Sequence, residues 1–250
     1  MSAQKNTWPL SFAIAHRGAS QLAPENTIAA LIAAKKNGAQ WVECDIQLTK
    51  DNQPVIFHDA TVARTTNGRG KLSEVSLSRL QSLDAGSWFS LEFINERVPT
   101  LQEWLRCAAD LKLGLNLEIK STTKKESIVL AECLIDHLQK YWPAHSTTLL
   151  ISSCNQFALM QVAQRAKSLP LGLIFDKIIT EKMAASLLSS NIISIHQPYK
   201  ILHEKYVAML HEAGLHVLAY TVNDADRAKE LKEMDVDGIF TDDEKLFSMK

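Results

Sequence analysis

The sequence has no long apolar run and no surplus of either charge. Its 250 residues carry 27 Lys and Arg against 28 Asp and Glu, a formal net charge of −1. A protein that binds a nucleic-acid duplex normally has a basic surplus, so nucleic acid is not an expected partner. No stretch approaches the 18 apolar residues that a membrane-spanning helix needs, and we expect no stable membrane association.

Cysteine is scarce as well. Cys44, Cys107, Cys133 and Cys154 form no Cys-x-x-Cys pair. They lie mostly in strand-like and helix-like patterns, which indicates reduced, packed thiols rather than a disulfide framework or a zinc cage. The segment 8–15 follows a single cation and has a very short apolar core. We interpret it as a first strand rather than a signal peptide, and we expect a cytoplasmic protein.

Several motifs that would indicate other chemistry are missing. The sequence has no HxH or HExxH pair, which disfavours zinc, and no GxxxxGK[ST] loop for a nucleotide. It also lacks the GxSxG turn of serine hydrolases. Ser152 and Ser153, at the end of a strand-like run, are a weaker nucleophile candidate that we interpret as a ligand-lining or packing pair.

Strand-like and helix-like runs alternate along the chain. The predicted strands are 12–15, 41–48, 115–119, 148–152, 171–175, 192–195, 216–222 and 238–241. The predicted helices are 27–37, 101–111, 124–141, 156–167, 180–189, 202–213, 225–234 and a short 243–247. This pattern favours an α/β fold, a (β/α)8 TIM barrel in one domain over residues 1–250. The rival doubly wound sheet would usually show a glycine-rich turn after the first strand, which is absent.

Polar residues and glycines mark several helix ends. Asn26 and Thr100 are predicted N-caps, and Asn223 or Asp224 is predicted to open the helix 225–234. Gly38 and Gly214 follow the ends of two predicted helices.

One region does not fit a simple barrel. Residues 55–57 read as a further short strand that returns beside the end of the second strand. An insertion over about 59–100 follows this strand, which ends at His58, and it contains a long polar loop over 64–90. Loops of that length often cover or shape a site.

Carboxylates lie on the inward faces of two predicted strands. Since side chains alternate along a strand, Glu43 and Asp45 share the face opposite the apolar residues, as do Asn116, Glu118 and Lys120. Like charges gathered in a low dielectric cannot all ionise unless they are neutralised, paired with cations or joined by a metal ion. An all-oxygen donor set suits Mg2+ or Ca2+. The alternative is that the acidic residues lie on half-exposed strands and have no function.

Histidines and cations adjoin these carboxylates. His16 and His58 stand at strand ends, where a barrel places its active-site groups, and a histidine pair can divide base and acid roles. Arg17 and Lys120 favour an anionic substrate, most simply a phosphate ester. The alternatives are structural histidines, and cations that only neutralise the carboxylates.

The other histidines have less distinctive settings. Four fall on helices or at helix ends and are interpreted as surface residues: His137, His145, His203 and His211. The positions of His196 and His216 do not indicate whether these two are surface residues or belong to the site.

Ordered motifs across nearly the whole chain resemble the glycerophosphodiester phosphodiesterase family, in particular its short bacterial cytosolic members. These motifs are His16-Arg17-Gly18, Pro24-Glu25-Asn26-Thr27, Glu43-Cys44-Asp45, Leu48-Thr49-Lys50-Asp51, His58-Asp59, Arg64-Thr65-Thr66, Asn116-Leu117-Glu118-Ile119-Lys120, Thr221-Val222-Asn223 and Asp237-Gly238-Ile239-Phe240-Thr241-Asp242. Each is weak alone, but the ordered set is specific.

The resemblance implies a TIM barrel with a small insertion and a defined reaction. Glycerophosphodiesters such as glycerophosphocholine or glycerophosphoethanolamine would be hydrolysed to sn-glycerol 3-phosphate and an alcohol, with Mg2+ or Ca2+. It implies three sets of site residues: Glu43, Asp45 and Glu118 for the metal; His16 and His58 for acid-base catalysis; Arg17 and Lys120 for phosphate.

Two positions depart from the family pattern. Cys154 and Tyr220 stand where members often have aromatic residues, and both are expected to line the glycerol or leaving-group side. The alcohol preference is therefore open. A lysophospholipase D-like activity is the nearest alternative, and it would need an apolar rim that the sequence does not show. There are two further alternatives. One is a metal-dependent aldolase or isomerase with a Lys120 Schiff base, and the other is a non-catalytic binding barrel. The sequence does not indicate an oligomeric state.

Overall fold

Eight parallel strands close into a barrel in the computed structural model, which describes residues 10–143 and 148–249. The strands are β1 (Ala13–Ala15), β2 (Trp41–Leu48), β4 (Gly114–Ile119), β5 (Leu149–Ser153), β6 (Leu171–Ile174), β7 (Ile192–Pro198), β8 (His216–Tyr220) and β9 (Gly238–Thr241). They follow the order β1-β9-β8-β7-β6-β5-β4-β2, and pairing of β1 with β2 closes the ring. The predicted (β/α)8 barrel is confirmed. His145 lies outside the described residues.

Helices follow the strands around the outside of the barrel. They are α1 (Ile28–Lys36), α3 (Leu101–Asp110), α4 (Lys124–Tyr141), α5 (Gln156–Arg165), α6 (Glu181–Ser189), α7 (Glu204–Glu212) and α8 (Ala225–Glu233). The predicted helix at 243–247 is instead a 3-10 turn at Glu244–Leu246, where the Lys245 amide donates to the Asp243 carboxylate and tightens the segment. Within the described residues, no helix has both the length and the apolar character needed to cross a membrane.

The prediction that Asn26 caps α1 is wrong. Thr27 has extended backbone and its Oγ1 accepts a hydrogen bond from the Ala30 amide, so Thr27 is the N-cap. Asn26 has a positive φ of 58°, and its side chain contacts Asp45 instead. The predicted N-cap Thr100 is confirmed, since it forms a reciprocal capping box with Glu103.

The strand alternation separates an outer core from the barrel interior. Val42, Cys44 and Ile46 of β2 belong to the large apolar cluster between the sheet and the helices. Inside the barrel, a smaller cluster comprises Ile14, Trp41, Leu150, Leu218 and Phe240. This apolar filling leaves the carboxyl ends of the strands for polar groups.

The insertion is built on β3 and has its own small core. β3 (Pro54–Ile56) pairs antiparallel with the end of β2, as predicted. After it come α2 (Leu77–Gln81) and two 3-10 turns, Leu72–Glu74 and Leu91–Phe93. The cluster of Val55, Phe57, Val62, Leu72, Leu80, Leu83, Ala85 and Val98 holds this region together. The insertion also contacts the barrel directly, because the Ala29 amide of α1 donates to Glu96.

Candidate active site

Three carboxylates meet at the carboxyl ends of two neighbouring strands. Glu43 and Asp45 lie on β2 and Glu118 lies on β4, where the register pairs Asp45 with Glu118. One carboxylate oxygen of each residue lies within 4.8 Å of the other two. Glu43 is 3% exposed and Asp45 is 1% exposed, so their charges are largely withdrawn from water.

The pKa values of the three carboxyl groups are shifted in different directions. Burial, together with Asp45 and Glu118, raises the pKa of Glu43 well above its usual value. Burial and then Asp45 raise the pKa of Glu118 to about 7. Burial also acts to raise the pKa of Asp45, but Lys120 and Arg17 outweigh it and the net shift is downward. The nearby cations therefore outweigh burial at Asp45 but not at Glu43 and Glu118.

The donor set fits a hard divalent cation. Glu43 Oε1 is buried and has no hydrogen-bond partner among the described residues. A buried, unpartnered carboxylate oxygen is costly unless a cation or proton satisfies it. Three carboxylates at this spacing match the oxygen ligands that Mg2+ and Ca2+ prefer.

Arg17 and Lys120 border the carboxylates. The backbone amide of Arg17 donates to Glu43 Oε2 at 3.0 Å, and the guanidinium Nη1 of Arg17 donates to Glu25 Oε1 at 2.8 Å. Lys120 Nζ lies 3.4 Å from Asp45 Oδ1 and 3.7 Å from Glu118 Oε1. Both cations pair with carboxylates here, and both also line the central cavity, where an anion would meet them.

The turn that carries Arg17 needs the glycine that follows it. Gly18 has a φ of +84°, and a Cβ at this position would lie 2.6 Å from Ala30 Cβ. Glycine therefore lets the loop after β1 pack closely on α1. This packing fixes the end of β1, where His16 and Arg17 stand.

Each candidate histidine is held by a carboxylate. His16 Nδ1 donates to Asp242 Oδ1 at 2.7 Å, and His58 Nδ1 donates to Asp59 Oδ1 at 2.6 Å. A carboxylate on Nδ1 fixes the ring orientation and leaves Nε2 for proton transfer. His16 Nε2 lies 3.9 Å from Glu43 Oε2, so this ring edge borders the carboxylate cluster.

The charges around His16 and His58 set the protonation of their carboxylate partners. Burial lowers the pKa of His58 and outweighs the opposite effects of Asp45 and Asp59. Arg64 beside Asp59 holds the pKa of that carboxyl well below its usual range. Asp242 has a pKa of about 2, because hydrogen bonds from His16, Asn223 and Ser20 outweigh its burial. Both carboxylates are therefore charged at neutral pH.

Arg64 links His58 to Arg17 through the carboxylates of Asp59 and Glu25. Its guanidinium makes four hydrogen bonds of 2.6 to 2.9 Å, two to Glu25 and two to Asp59. Glu25 also accepts from Arg17, and Asp59 also accepts from His58. A continuous polar chain therefore runs from His58 through the insertion to Arg17.

A cavity of about 220 Å³ joins these groups. It is lined by His16, His58, Glu43, Glu118, Arg17 and Lys120, and Tyr220 and Phe240 complete the wall. The cavity therefore exposes imidazole, carboxylate and cationic groups to one small ligand.

Two further polar residues, His196 and Asn116, also line this cavity. His196 is fully buried, its Nε2 contacts Ser194 Oγ at 3.1 Å, and burial lowers its pKa to about 3. Its Nδ1 and the Asn116 Oδ1 have no partner among the described residues. A Cβ on Gly172 would lie 2.4 Å from His196 Nε2, so glycine makes room for the ring.

Two sequence candidates lie apart from this chemistry. Ser153 Oγ donates to the Ile119 carbonyl at 2.6 Å, and Ser152 Oγ accepts from Asn116 Nδ2 at 2.9 Å. Both hydroxyls support the sheet, so the packing interpretation applies. Tyr220 lines the cavity, whereas Cys154 is an exposed free thiol.

Sequence reasoning gave no role in the site to the residues that orient it. Asp59, Asp242, Asn26 and Arg64 stood within the family-like motifs, which is the only signal that marked them. Asn26 Nδ2 donates to Asp45 Oδ2 at 2.8 Å, which explains why its side chain does not cap α1.

Comparison with known proteins places these features in one family. The sequence model of the glycerophosphoryl diester phosphodiesterase family matches residues 16–246. A glycerophosphodiester phosphodiesterase of Caldanaerobacter subterraneus subsp. tengcongensis is 37% identical over 234 residues, covering 92% of this chain and 93% of that protein. One from Bacillus subtilis is 32% identical over 251 residues, covering 94% of this chain and 84% of that protein.

A solved structure agrees with these relatives. An Oleispira antarctica phosphodiesterase, described in complex with the product sn-glycerol-3-phosphate, superimposes with a TM-score of 0.91 at 35% identity. The match covers 96% of each chain. The chain therefore belongs to the glycerophosphoryl diester phosphodiesterase family and is an enzyme of that kind.

Proposed function

We propose that the enzyme hydrolyses glycerophosphodiesters to sn-glycerol 3-phosphate and a free alcohol, with Mg2+ or Ca2+ held by Glu43, Asp45 and Glu118. The observation that carries the proposal is one cavity lined by two carboxylate-held imidazoles and by Glu43 and Glu118, two members of the cluster of three carboxylates. The product named for the Oleispira antarctica structure supports glycerol as one arm of the substrate.

Arg17 and Lys120 bind the phosphoryl oxygens in this proposal. Their contacts with Asp45 and Glu118 keep both side chains at the cavity wall, and positive charge there stabilises the negative charge that grows in the transition state. When bound, the divalent cation supplies Lewis-acid stabilisation and orients the substrate.

His16 and His58 divide the two proton transfers. One imidazole takes the proton from the nucleophile, which is either water or the neighbouring hydroxyl of the glycerol arm. The P–O bond to the alcohol breaks, and the other imidazole protonates the departing oxygen. Attack by the glycerol hydroxyl gives a cyclic phosphate that water then opens, so both routes end in glycerol 3-phosphate. Asp242 and Asp59 keep the two rings in the orientation that this transfer needs.

The metal-dependent aldolase alternative is disfavoured by the setting of Lys120. A Schiff base requires an unprotonated amine. Burial acts to lower the pKa of Lys120, but Asp45 and Glu118 outweigh burial and raise it. The side chain is therefore a cation, as phosphate binding requires.

A coupled assay tests the proposal. Product from glycerophosphocholine and glycerophosphoethanolamine is detected with glycerol 3-phosphate dehydrogenase, with and without a chelator. We expect turnover that chelation abolishes and that added Mg2+ or Ca2+ restores. Activity that survives complete metal removal would overturn the metal assignment.

Variants of the two histidines complete the test. His16→Ala and His58→Ala should lose turnover but keep the metal affinity of the wild type, whereas His203→Ala, at an exposed position, should keep both. If either site variant turned over at the wild-type rate, its proposed acid-base role would be wrong.

A second candidate is a lysophospholipase D-like activity. The sequence predicted no apolar rim, but in the insertion Leu91 is 78% exposed and Ile94 is 58% exposed. Both follow closely in the chain after Trp88, which lines a cavity beside His16. This surface favours a substrate with an apolar chain. Release of choline from lysophosphatidylcholine micelles would support the second candidate, and its absence beside turnover of glycerophosphocholine would exclude it.

A further inference from the structure

A second cavity of about 450 Å³ adjoins the first, and we call it the outer cavity. It shares His16 and Arg17 with the central cavity. The rest of its wall includes Glu25 from the loop after β1, Asp242 from the end of β9, and Trp88 from the insertion. The two cavities therefore flank the pair of residues that we place at the phosphoryl group.

The two arms of a phosphodiester leave the phosphorus in different directions. If the phosphoryl group lies at His16 and Arg17, one arm enters each cavity. The central cavity offers carboxylates and the polar side chains of Asn116 and His196, which suit the two hydroxyls of glycerol. The outer cavity is left for the alcohol. This assignment rests on the proposed function.

Trp88 presents an unusual surface to the outer cavity. The side chain is 40% exposed, although its indole N–H already donates to the Ala85 carbonyl at 2.9 Å. What remains exposed is therefore carbon and π surface. Phe89 packs against it edge to face, with ring centroids 5.7 Å apart and an interplanar angle of 86°. Trp88 and Phe89 therefore form a contiguous aromatic patch on the cavity wall, and such patches are typical of binding surfaces.

The loop that carries Trp88 is held in place by its own hydrogen bonds. The Asp84 carboxylate accepts from the amides of Gly86 at 3.0 Å, Ser87 at 2.7 Å and Asn95. A Cβ on Gly86 would lie 1.9 Å from the Phe93 carbonyl oxygen, so only glycine permits this close approach. The indole is therefore positioned before a ligand arrives, which reduces the entropy lost on binding.

We propose that the outer cavity binds the leaving alcohol and that Trp88 gives it a preference for a quaternary ammonium alcohol, choline, over a neutral alcohol of the same shape. Tryptophan offers the most favourable aromatic face to a cation, and aromatic walls recognise quaternary ammonium groups. Glu25 is already paired with Arg17 and Arg64, so the preference depends mainly on the ring. Asp242 lines the same wall but is likewise engaged, by His16, Ser20 and Asn223.

The test compares two substrates that differ by one atom. Glycerophosphocholine is compared with the 3,3-dimethylbutyl ester of glycerol 3-phosphate, in which carbon replaces the ammonium nitrogen. For the wild type we expect kcat/KM to favour the choline ester about five-fold, as one exposed cation–π contact allows. Trp88→Leu keeps an apolar side chain but removes the π face, and it should bring the ratio close to one. Trp88→Phe should keep part of the preference.

Met183→Ala is the matched control. Met183 is an exposed apolar residue of α6, and it does not line the outer cavity, so the ratio should not change. Equal kcat/KM values of the wild type for the two esters would overturn the choline preference, and so would an unchanged ratio in both Trp88 variants. In either case, hydrolysis of both esters by the wild type would leave the proposed function standing. If the wild type hydrolysed neither ester, the proposed function itself would fail.

Discussion

His16 Nδ1 donates a hydrogen bond of 2.7 Å to Asp242 Oδ1, although 226 positions separate the two residues in the chain. The contact lies where the last strand, β9, pairs with the first, β1, so it forms only when the two ends of the chain meet in the barrel. Asp242 is held in turn by Ser20 Oγ at 3.0 Å and Asn223 Nδ2 at 2.7 Å. The last strand therefore orients a side chain at the end of the first.

Replacing Asp242 should impair turnover more than binding. Asp242→Asn removes the charge that fixes the His16 tautomer, and we expect kcat to fall about 100-fold or more with KM little changed. Steady-state kinetics measure the split, and calorimetry should show unchanged metal affinity. Asp243→Asn, next to it in the chain, is the control. A rise in KM with kcat intact would contradict an orienting role.

Removing one carboxylate should separate metal affinity from stability. Glu43→Gln should lose most of its affinity for Mg2+ or Ca2+, because it replaces a buried anionic oxygen with a neutral one. With chelator present, the same variant should be at least as stable as the wild type, since it relieves repulsion with Asp45 and Glu118.

Titration calorimetry and urea unfolding measure these two quantities. Glu74→Gln, on the exposed surface of the insertion, should change neither. A large loss of stability in chelated Glu43→Gln would show that the carboxylate has a structural role instead.

Loss of the Arg64 contacts should disturb the positions of both His58 and Arg17. Arg64→Lys keeps the charge but cannot bind two carboxylates in bidentate geometry, so we expect kcat to fall about ten-fold. The kcat of Arg64→Ala should fall further, and added guanidinium should restore part of the rate of this variant. Arg69→Lys, at an exposed position nearby in the sequence, should be neutral. Wild-type kinetics in Arg64→Lys would rule out the positioning role.

The buried His196 should make the fold sensitive to acid. The unfolded chain protonates this residue below a pH of about 6.5, whereas burial lowers the folded pKa to about 3. The unfolded state therefore binds more protons in this window, and stability falls as the pH drops from about 6.5 towards 3.

The His196→Gln variant isolates this effect. Between pH 6.5 and 4.5 the wild type should lose about 2 kcal/mol more free energy of unfolding than the variant. Urea unfolding at a series of pH values measures the difference, with the exposed His203→Gln as control. Parallel curves for wild type and His196→Gln would refute the prediction.

The strand that carries two of the carboxylates was predicted with its observed bounds. Trp41–Leu48 alternates apolar and polar residues so regularly that both its extent and its inward face could be read locally. Asn26 was misassigned for the opposite reason. A polar residue before a helix looks like an N-cap, and only the distant Asp45 takes its side chain elsewhere.

Residues that act through distant partners gave weaker local signals. Trp88 lay in a segment that the sequence marked only as a polar loop, and its exposure at the outer cavity depends on how the insertion packs against the barrel. Asp59 adjoins His58 in the sequence, but the Arg64 contact that keeps it charged depends on a folded loop.

The sequence by itself determined the barrel, the family motifs and the inward direction of Glu43, Asp45 and Glu118, because strand periodicity is a local property of the chain. Tertiary structure decided which side chains meet: Asp242 with His16, and Arg64 with both Glu25 and Asp59. Such pairs depend on ring closure and loop packing, which bring together residues whose separation along the chain carries no periodic signal.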